Sequence, residues 1–425
     1  MDWSDTNNFL KGTINNLDKL RDPVKIASFD LDDTIIHRPK GKAASNKWKL
    51  LDSSITDKIA DLVTDEYIIV IFTNQGGMSM SKNFDKPKWR KAMDDLATIL
   101  MSKVKNKKYY FAVYVSKSYD LYRKPNIGLW EQMKLDLKDT FNLDKLRISK
   151  KSFFCGDAAG RISDSIFKKK MYPTSKKPGD FSDTDRKFAL NIGIDFLTPD
   201  EFFLTNSPKM SYKMLGFNPT KFLEIINSKD NNKDQQLIIN VDSKKTEEIR
   251  IPTGDYVFVP RKKELLLMIG QSGSGKSDFV QKYILPHGYI HINQDTCKTK
   301  AKCLAQTEEA LEKHKSVVVD NTNPDILTRM AYTSMAVDNG YKHIRAIVVN
   351  TPDVIAKHLN NVRHIYTNGA VPKINKIAYN IFKKNYIKPL KSEHFDKIEI
   401  IDFVFDTAQL DDPVWRKIFL RWSEA

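Results

Sequence analysis

Cysteine is nearly absent from this chain of 425 residues, and Cys155, Cys297 and Cys303 are the whole supply. They form no CxxC pair and leave one thiol over under any pairing scheme. That excludes a disulfide-stapled secreted scaffold and suits three free thiols in a reducing compartment. Long apolar runs are also missing, since none approaches the ~18 residues of a membrane span. The opening MDWSDTNNFL has no basic stretch followed by an apolar core. No secretory leader and no membrane partner are therefore expected, and the protein should be intracellular. No internal repeat or extended low-complexity tract is visible.

Acidic residues are outnumbered: 53 Asp and Glu stand against 69 Lys and Arg, for a net charge of +16 and a pI near 9.3. A basic excess suits a polyanionic partner, because clustered cations release counterions from phosphates and steer encounter. Nucleic acid leads the candidates, although a solvated lysine-rich surface would give the same runs, such as Lys168-Lys169-Lys170 and Arg261-Lys262-Lys263. With 41% hydrophobic and 29% charged residues, the chain has enough apolar surface to fold. Its length suits two domains of about 150–200 residues.

In the first half, apolar strand-like segments at Lys25–Phe29, Tyr67–Phe72, Phe111–Val115 and Ser152–Cys155 alternate with amphipathic stretches, which predicts a parallel sheet covered by helices. From about Thr205 to Lys263 the rhythm is lost, and the polar stretch Asn227–Gln236 marks a junction. A second set follows at Leu265–Ile269, Tyr289–Ile292, Ser316–Val319 and Ile344–Val349. The fold class is thus α/β in two domains. Residues 1–205 form the first, 206–262 the junction and linker, and 263–425 the second. In such sheets ligands bind beyond the carboxyl ends of strands.

Directly after Lys25–Phe29 comes Asp30-Leu31-Asp32-Asp33-Thr34. A carboxylate at Asp30 can attack phosphorus, while Asp32 can protonate the leaving oxygen and then activate water. Two anions alone repel a phosphate, so a cation is required. The pattern resembles the first motif of the haloacid-dehalogenase-like phosphatases, and the family's other motifs appear in order. Thr73, in Phe72-Thr73-Asn74-Gln75, can bond a phosphate oxygen. Lys124, in Tyr122-Arg123-Lys124-Pro125, can neutralise the phosphoryl charge. Asp157 can join Asp30 and the Asp32 carbonyl around Mg²⁺, a hard ion that takes oxygen ligands. Each fragment alone is common in surface turns, and the ordered set carries the reading. Asp180, Asp183 and Asp185 lie in a polar turn, either as orienting acids or as exposed ones, with an orienting role favoured for Asp185.

After Leu265–Ile269 the sequence reads Gly270-Gln271-Ser272-Gly273-Ser274-Gly275-Lys276-Ser277, a full GxxxxGK[ST] phosphate-binding loop ahead of a helical stretch at Asp278–Tyr283. The loop glycines Gly270, Gly273 and Gly275, with Ser274, let backbone N–H groups face phosphates. Lys276 reaches the β/γ oxygens and Ser277 holds Mg²⁺. Such a loop serves motors and switches as well as kinases, so the acceptor side decides. Asp295 can deprotonate a hydroxyl, and Asp320 resembles a Walker B acid. Arg363 lies on a helix that can close over ATP and stabilise the transferring charge. An ordinary loop acid or an exposed helix arginine would look the same from spacing alone.

Taken in order, these motifs resemble the eukaryotic polynucleotide kinase 3′-phosphatase family from about Lys25 to the C-terminus. The likeness includes the Trp48 region, Gly156–Arg161, Asp180–Gly193, Pro199–Leu204 and Asp320–Asp325. The resemblance implies removal of 3′-phosphates and ATP-dependent phosphorylation of 5′-hydroxyls at DNA ends, with Mg²⁺ and ATP as cofactors and a nuclear repair role. It implies Asp30 as nucleophile, Asp32 as acid/base, Thr73 and Lys124 as phosphate ligands, Asp157 as metal ligand and Asp295 as kinase base. Vertebrate members begin with a forkhead-associated domain. Here a first strand near Lys25 leaves no room for one, so recruitment by phosphorylated scaffolds is not expected. Gln294 stands where the family often has Arg, and Lys298 is a candidate to compensate.

Three other readings compete. RNA end-healing would use the same two chemistries, although phage-type RNA repair enzymes place the kinase first. A silent end-binding scaffold would not need Asp30, Asp32, Lys276, Ser277 and Asp295 intact. A small-metabolite phosphatase joined to a nucleoside kinase would not need so much positive charge.

Overall fold

The computed structural model describes residues 1–38, 48–82, 84–175, 177–227, 236–242, 245–250, 257–402 and 407–424. Most of the polar stretch expected to mark the junction, and residues 39–47 beside Trp48, lie outside the described residues. The chain divides into two compact units, one of Met1–Leu215 with Trp422–Glu424 and one of Gly216–Arg421.

The first unit is built on a seven-stranded sheet. Its spatial order is Asp2–Asp5, Phe9–Asn15, Tyr110–Ser116, Tyr67–Asn74, Lys25–Phe29, Phe153–Cys155 and Asp195–Leu197. The last five are parallel. The first two extend one edge in the antiparallel sense, which corrects the expectation of a parallel sheet whose first strand is Lys25–Phe29. The signal was weak because Asp-Trp-Ser-Asp is almost wholly polar and Phe9–Asn15 is interrupted by a glycine. A tertiary contact supplies what the local pattern lacks. The Trp3 ring lies over Gly12, where an added Cβ would fall 2.8 Å from it, and Trp3 Nε1 donates to Asp94 Oδ1 at 3.1 Å.

Alternation across the central strands feeds two cores. Ile69 and Ile71 pack with Ile55 and Ile59 of the helix Ile55–Thr64 and with Met93 and Leu96 of the helix Lys86–Leu100. Ile68, Val70 and Phe72 face the other way, onto Leu129, Trp130, Met133 and Leu137 of Gly128–Thr140 and Phe188 of Thr184–Ile192. Both faces are covered, so these strands read as continuous apolar runs. Each such side chain contributes about 1.5–3 kcal/mol on burial. The result is a rigid shelf whose carboxyl edge carries Asp30, Thr73 and Asp157.

The second unit holds a five-stranded parallel sheet ordered Ile290–Ile292, Val317–Val319, Glu264–Ile269, His343–Asn350 and Lys397–Asp402. The last strand was not anticipated, because Lys-Ile-Glu-Ile-Ile-Asp is a half-exposed edge. A separate antiparallel pair, Gln236–Asp242 with Lys245–Arg250, falls where the α/β rhythm is lost. Among the described residues no helix is long and apolar enough to cross a membrane.

Two candidate active sites

Asp30 follows the strand Lys25–Phe29, and its backbone N–H donates to Cys155 O at 2.8 Å, which pins the turn to the neighbouring strand. Lys124 Nζ donates to Asp30 Oδ1 at 2.6 Å and to Asp185 Oδ1 at 2.7 Å. Asp30, Asp157 and Asp185 offer oxygens that all lie within 4.8 Å of one another. Burial pushes the Asp30 carboxyl up to about 7 against the pull of Lys124, with Asp185 and Asp32 adding to the rise. Burial also pushes Asp157 up, reinforced by Asp185 and Asp30. Burial opposes the charge of Lys124, but Asp185 and Asp30 outweigh it and raise its pKa. Among the described residues, these three acids gather around the Lys124 ammonium.

Asp185 sits on the helix Thr184–Ile192, and both of its oxygens are engaged. Oδ1 accepts from Lys124, and Oδ2 accepts from Ala158 N at 3.1 Å. Its approach requires glycine at 156, where an added Cβ would lie 2.4 Å from Asp185 Oδ2. Asp180 is likewise buried in bonds: it accepts from Arg161 Nε at 2.8 Å and from Arg161 N at 3.0 Å. Arg161 also reaches Asp200 Oδ2 at 2.9 Å and Asp157 O at 3.0 Å, so this pair shapes the loop that presents Asp157. Asp183 accepts from Leu215 N at 2.6 Å. All three acids therefore fasten the structure, and none is the exposed acid that the polar turn allowed.

Asp32 turns away from that cluster. Its Oδ2 accepts from Gln75 Nε2 at 2.6 Å and its Oδ1 lies 2.9 Å from Arg38 Nε. Thr73, 1% exposed, accepts from the same Gln75 amide at 3.0 Å. Asn74 exchanges bonds with the Lys124 backbone: its Nδ2 donates to Lys124 O at 3.2 Å, and Lys124 N donates to its Oδ1 at 3.0 Å. The motif Phe72-Thr73-Asn74-Gln75 points to Thr73 alone, although Asn74 ends the same strand and Gln75 follows it directly.

In the second unit the loop Gly270–Gly275 joins the strand Glu264–Ile269 to the helix that opens at Lys276. Gly273 has φ +73°, and a Cβ there would lie 2.6 Å from Ala356 O. The loop is anchored by Thr351 Oγ1 donating to Ser274 O at 2.7 Å and by Gln271 Nε2 donating to Thr351 O at 2.8 Å. Lys276 Nζ donates to Gln271 O at 2.7 Å. Burial pushes the Lys276 ammonium down to about 8, with Asp320 opposing that shift, Arg363 adding to it and Asp295 opposing it. The structure thus brings Asp320, Arg363 and Asp295 within electrostatic reach of Lys276. The helix past the loop widens to π geometry at Val280–Ile284.

Asp320 follows the strand Val317–Val319. His291 Nε2 lies 3.1 Å from its Oδ2, and Asn293 Nδ2 donates to the same oxygen at 3.1 Å. Asp320 Oδ1 is buried without a hydrogen-bond partner among the described residues, and the Ser277 hydroxyl is close enough to steady the carboxylate. Asp295 is exposed on the short helix Gln294–Cys297. Lys298 Nζ donates to Asp295 O at 2.6 Å, while Gln294 N donates to Asn321 Oδ1 at 2.8 Å. The loop after Asp320 is held from beneath by Arg329, which donates to Asn323 O at 3.2 Å and Pro324 O at 3.0 Å and pairs with Glu393 at 2.7 Å.

Comparison with known proteins agrees with this division. A family model described as polynucleotide kinase 3 phosphatase matches residues 25–203, and one described as an AAA domain matches residues 265–373. A protein of Acanthamoeba polyphaga mimivirus, provisionally named a bifunctional polynucleotide phosphatase/kinase, is 60% identical over 100% of this chain and 95% of its own length. The bifunctional polynucleotide phosphatase/kinase of Schizosaccharomyces pombe is 31% identical over 91% of this chain and 81% of its own. The polynucleotide 3′-phosphatase ZDP of Arabidopsis thaliana is 33% identical over 45% of this chain and 25% of its own.

Proposed function

The chain belongs to the bifunctional polynucleotide phosphatase/kinase family, and from that premise we propose that it heals DNA ends, removing 3′-phosphates in the first unit and phosphorylating 5′-hydroxyls with ATP in the second. The observation that carries the reading is the joint presence of a carboxylate cluster around Lys124 and a phosphate loop around Lys276, each on its own sheet.

In the phosphatase, Asp30 attacks phosphorus. The bond to O3′ breaks, and Asp32 gives that oxygen a proton. Asp32 then takes a proton from water, which attacks the aspartyl-phosphate and releases inorganic phosphate with Asp30 restored. Thr73 and Lys124 hold the phosphoryl oxygens. The donor set fits Mg²⁺: hard carboxylate oxygens crowd together with one lysine to balance them. Asp30, Asp157 and the Asp32 carbonyl would hold the ion, and Asp185, with both oxygens engaged, would orient Lys124. When bound, Mg²⁺ neutralises charge on the phosphoryl group.

In the kinase, Asp295 accepts the proton of the 5′-hydroxyl as O5′ attacks the γ-phosphorus of ATP and ADP departs. Lys276 and the loop N–H groups hold the β and γ oxygens, and Arg363 offsets the transferring charge. The buried Asp320 carboxylate beside the Ser277 hydroxyl fits a hard cation there too.

Two assays test this reading. DNA and RNA oligonucleotides of one sequence, each with a 3′-phosphate and a 5′-hydroxyl, are compared for turnover at both termini, with DNA expected to be preferred. Brief reaction with a ³²P-labelled 3′-phosphate is expected to leave hydroxylamine-labile label on the protein. RNA preference would overturn the DNA assignment, and absence of label during turnover would overturn the covalent route.

A further inference from the structure

Three consecutive residues close the strand Tyr67–Asn74 and its exit, and each addresses a different part of the phosphatase site. Thr73 is buried and accepts from Gln75, and Asn74 grips the backbone of Lys124. Gln75 joins Asp32 to Thr73: its amide nitrogen donates to Asp32 Oδ2 at 2.6 Å and to Thr73 Oγ1 at 3.0 Å. Its own backbone is fixed, because Gln75 N donates to Ser116 O at 2.8 Å. The Asp32 side chain is 42% exposed, and among the described residues Gln75 holds its Oδ2. Arg38, 2.9 Å from Oδ1, is the other restraint.

We propose that Gln75 is a positioning residue that aims the Asp32 carboxyl at the leaving oxygen of the 3′-phosphate ester. The inference rests on the 3′-phosphatase reading above. An amide suits the task chemically. Asp32 has to give a proton in one half of the reaction and take one in the other, and a neutral N–H donor holds an acceptor lone pair in both states. Because the same amide also reaches Thr73, the acid is set in register with a residue that would bind the phosphoryl oxygens, and orientation of this kind is what a general acid requires.

The test separates positioning of the acid from general damage through the leaving group. Two oligonucleotides are compared, one with an ordinary 3′-phosphate and one with a bridging 3′-S-phosphorothiolate. Breaking P–O3′ generates an alkoxide that needs a proton, whereas breaking P–S3′ releases a thiolate that leaves without one. For Gln75→Met, kcat/KM on the oxygen ester is expected to fall at least about tenfold further than on the sulfur ester. Gln75→Glu keeps the shape but replaces the N–H donor with an acceptor, and the same greater loss on the oxygen ester is expected. Turnover of the sulfur ester by the same preparations reports that the phosphatase unit is folded. Equal losses on both esters in both variants would overturn the inference. Failure of the unaltered protein to hydrolyse the oxygen ester would instead overturn the 3′-phosphatase reading beneath it.

Discussion

Asp185 reaches from the helix Thr184–Ile192 to accept from Lys124 Nζ at 2.7 Å, opposite the 2.6 Å bond from that same ammonium to Asp30. One buried cation is therefore shared between the proposed nucleophile and an acid that the linear sequence leaves in a polar turn. Asp185→Ala is expected to let Lys124 swing onto Asp30 alone. Phosphatase kcat should fall by about 10²-fold or more, the scale on which small misplacements act, with kinase turnover unchanged. Measuring both activities on one preparation checks it.

The crowding of Asp30, Asp157 and Asp185 gives a second expectation. Burial and its two neighbours hold Asp157 well above the usual carboxylate range, so the site favours a cation or loss of a charge. Mg²⁺ should raise the melting temperature of the unaltered protein, by an amount corresponding to about 2.7 kcal/mol at a hundredfold excess over its dissociation constant. Asp157→Asn should melt higher than the unaltered protein without Mg²⁺ and lose the part of the Mg²⁺ gain that belongs to the first unit. Thermal melts with and without EDTA decide the matter.

Gly273 combines φ +73° with an absent Cβ that would sit 2.6 Å from Ala356 O. Gly273→Ala is expected to cost on the order of 1–3 kcal/mol of local strain and to displace the phosphate loop. Kinase activity should be lost while 3′-phosphate removal persists, as read by ADP release and by phosphate release.

Arg329 and Glu393 are buried at 0% and 1% exposure, and Arg329 also carries the carbonyls of Asn323 and Pro324. Glu393→Gln should leave the guanidinium charge unbalanced, at a cost of about 3–5 kcal/mol, and loosen the loop that follows Asp320. Chemical denaturation of the second unit, compared with the first, would show it.

Much of this arrangement was legible in the linear order. The strands bearing Asp30, Thr73 and Asp157, and the loop from Gly270 to Ser277, announce themselves because apolar runs buried on both faces end in polar motifs. Other parts were not legible, for reasons that are physical. The edge strand Asp2–Asp5 is held by Trp3 over Gly12, a tertiary contact with no local signature. Asp180 and Asp183 look like surface acids until Arg161 and Leu215 N are seen to engage them. Gln75 reads as an ordinary polar residue because its importance lies in two distances. Arg363 is exposed on the helix Asp353–Tyr366, and spacing alone does not set it apart from other helix arginines.

The most direct test of two separate phosphoryl pockets uses a single oligonucleotide with a 3′-phosphate and a 5′-hydroxyl, labelled ATP and Mg²⁺, and the variants Asp30→Ala and Lys276→Ala. Asp30→Ala is predicted to keep the 3′-phosphate in place while the 5′ end still gains label, and Lys276→Ala to do the reverse. A folded variant in which one substitution silences both termini would contradict the account.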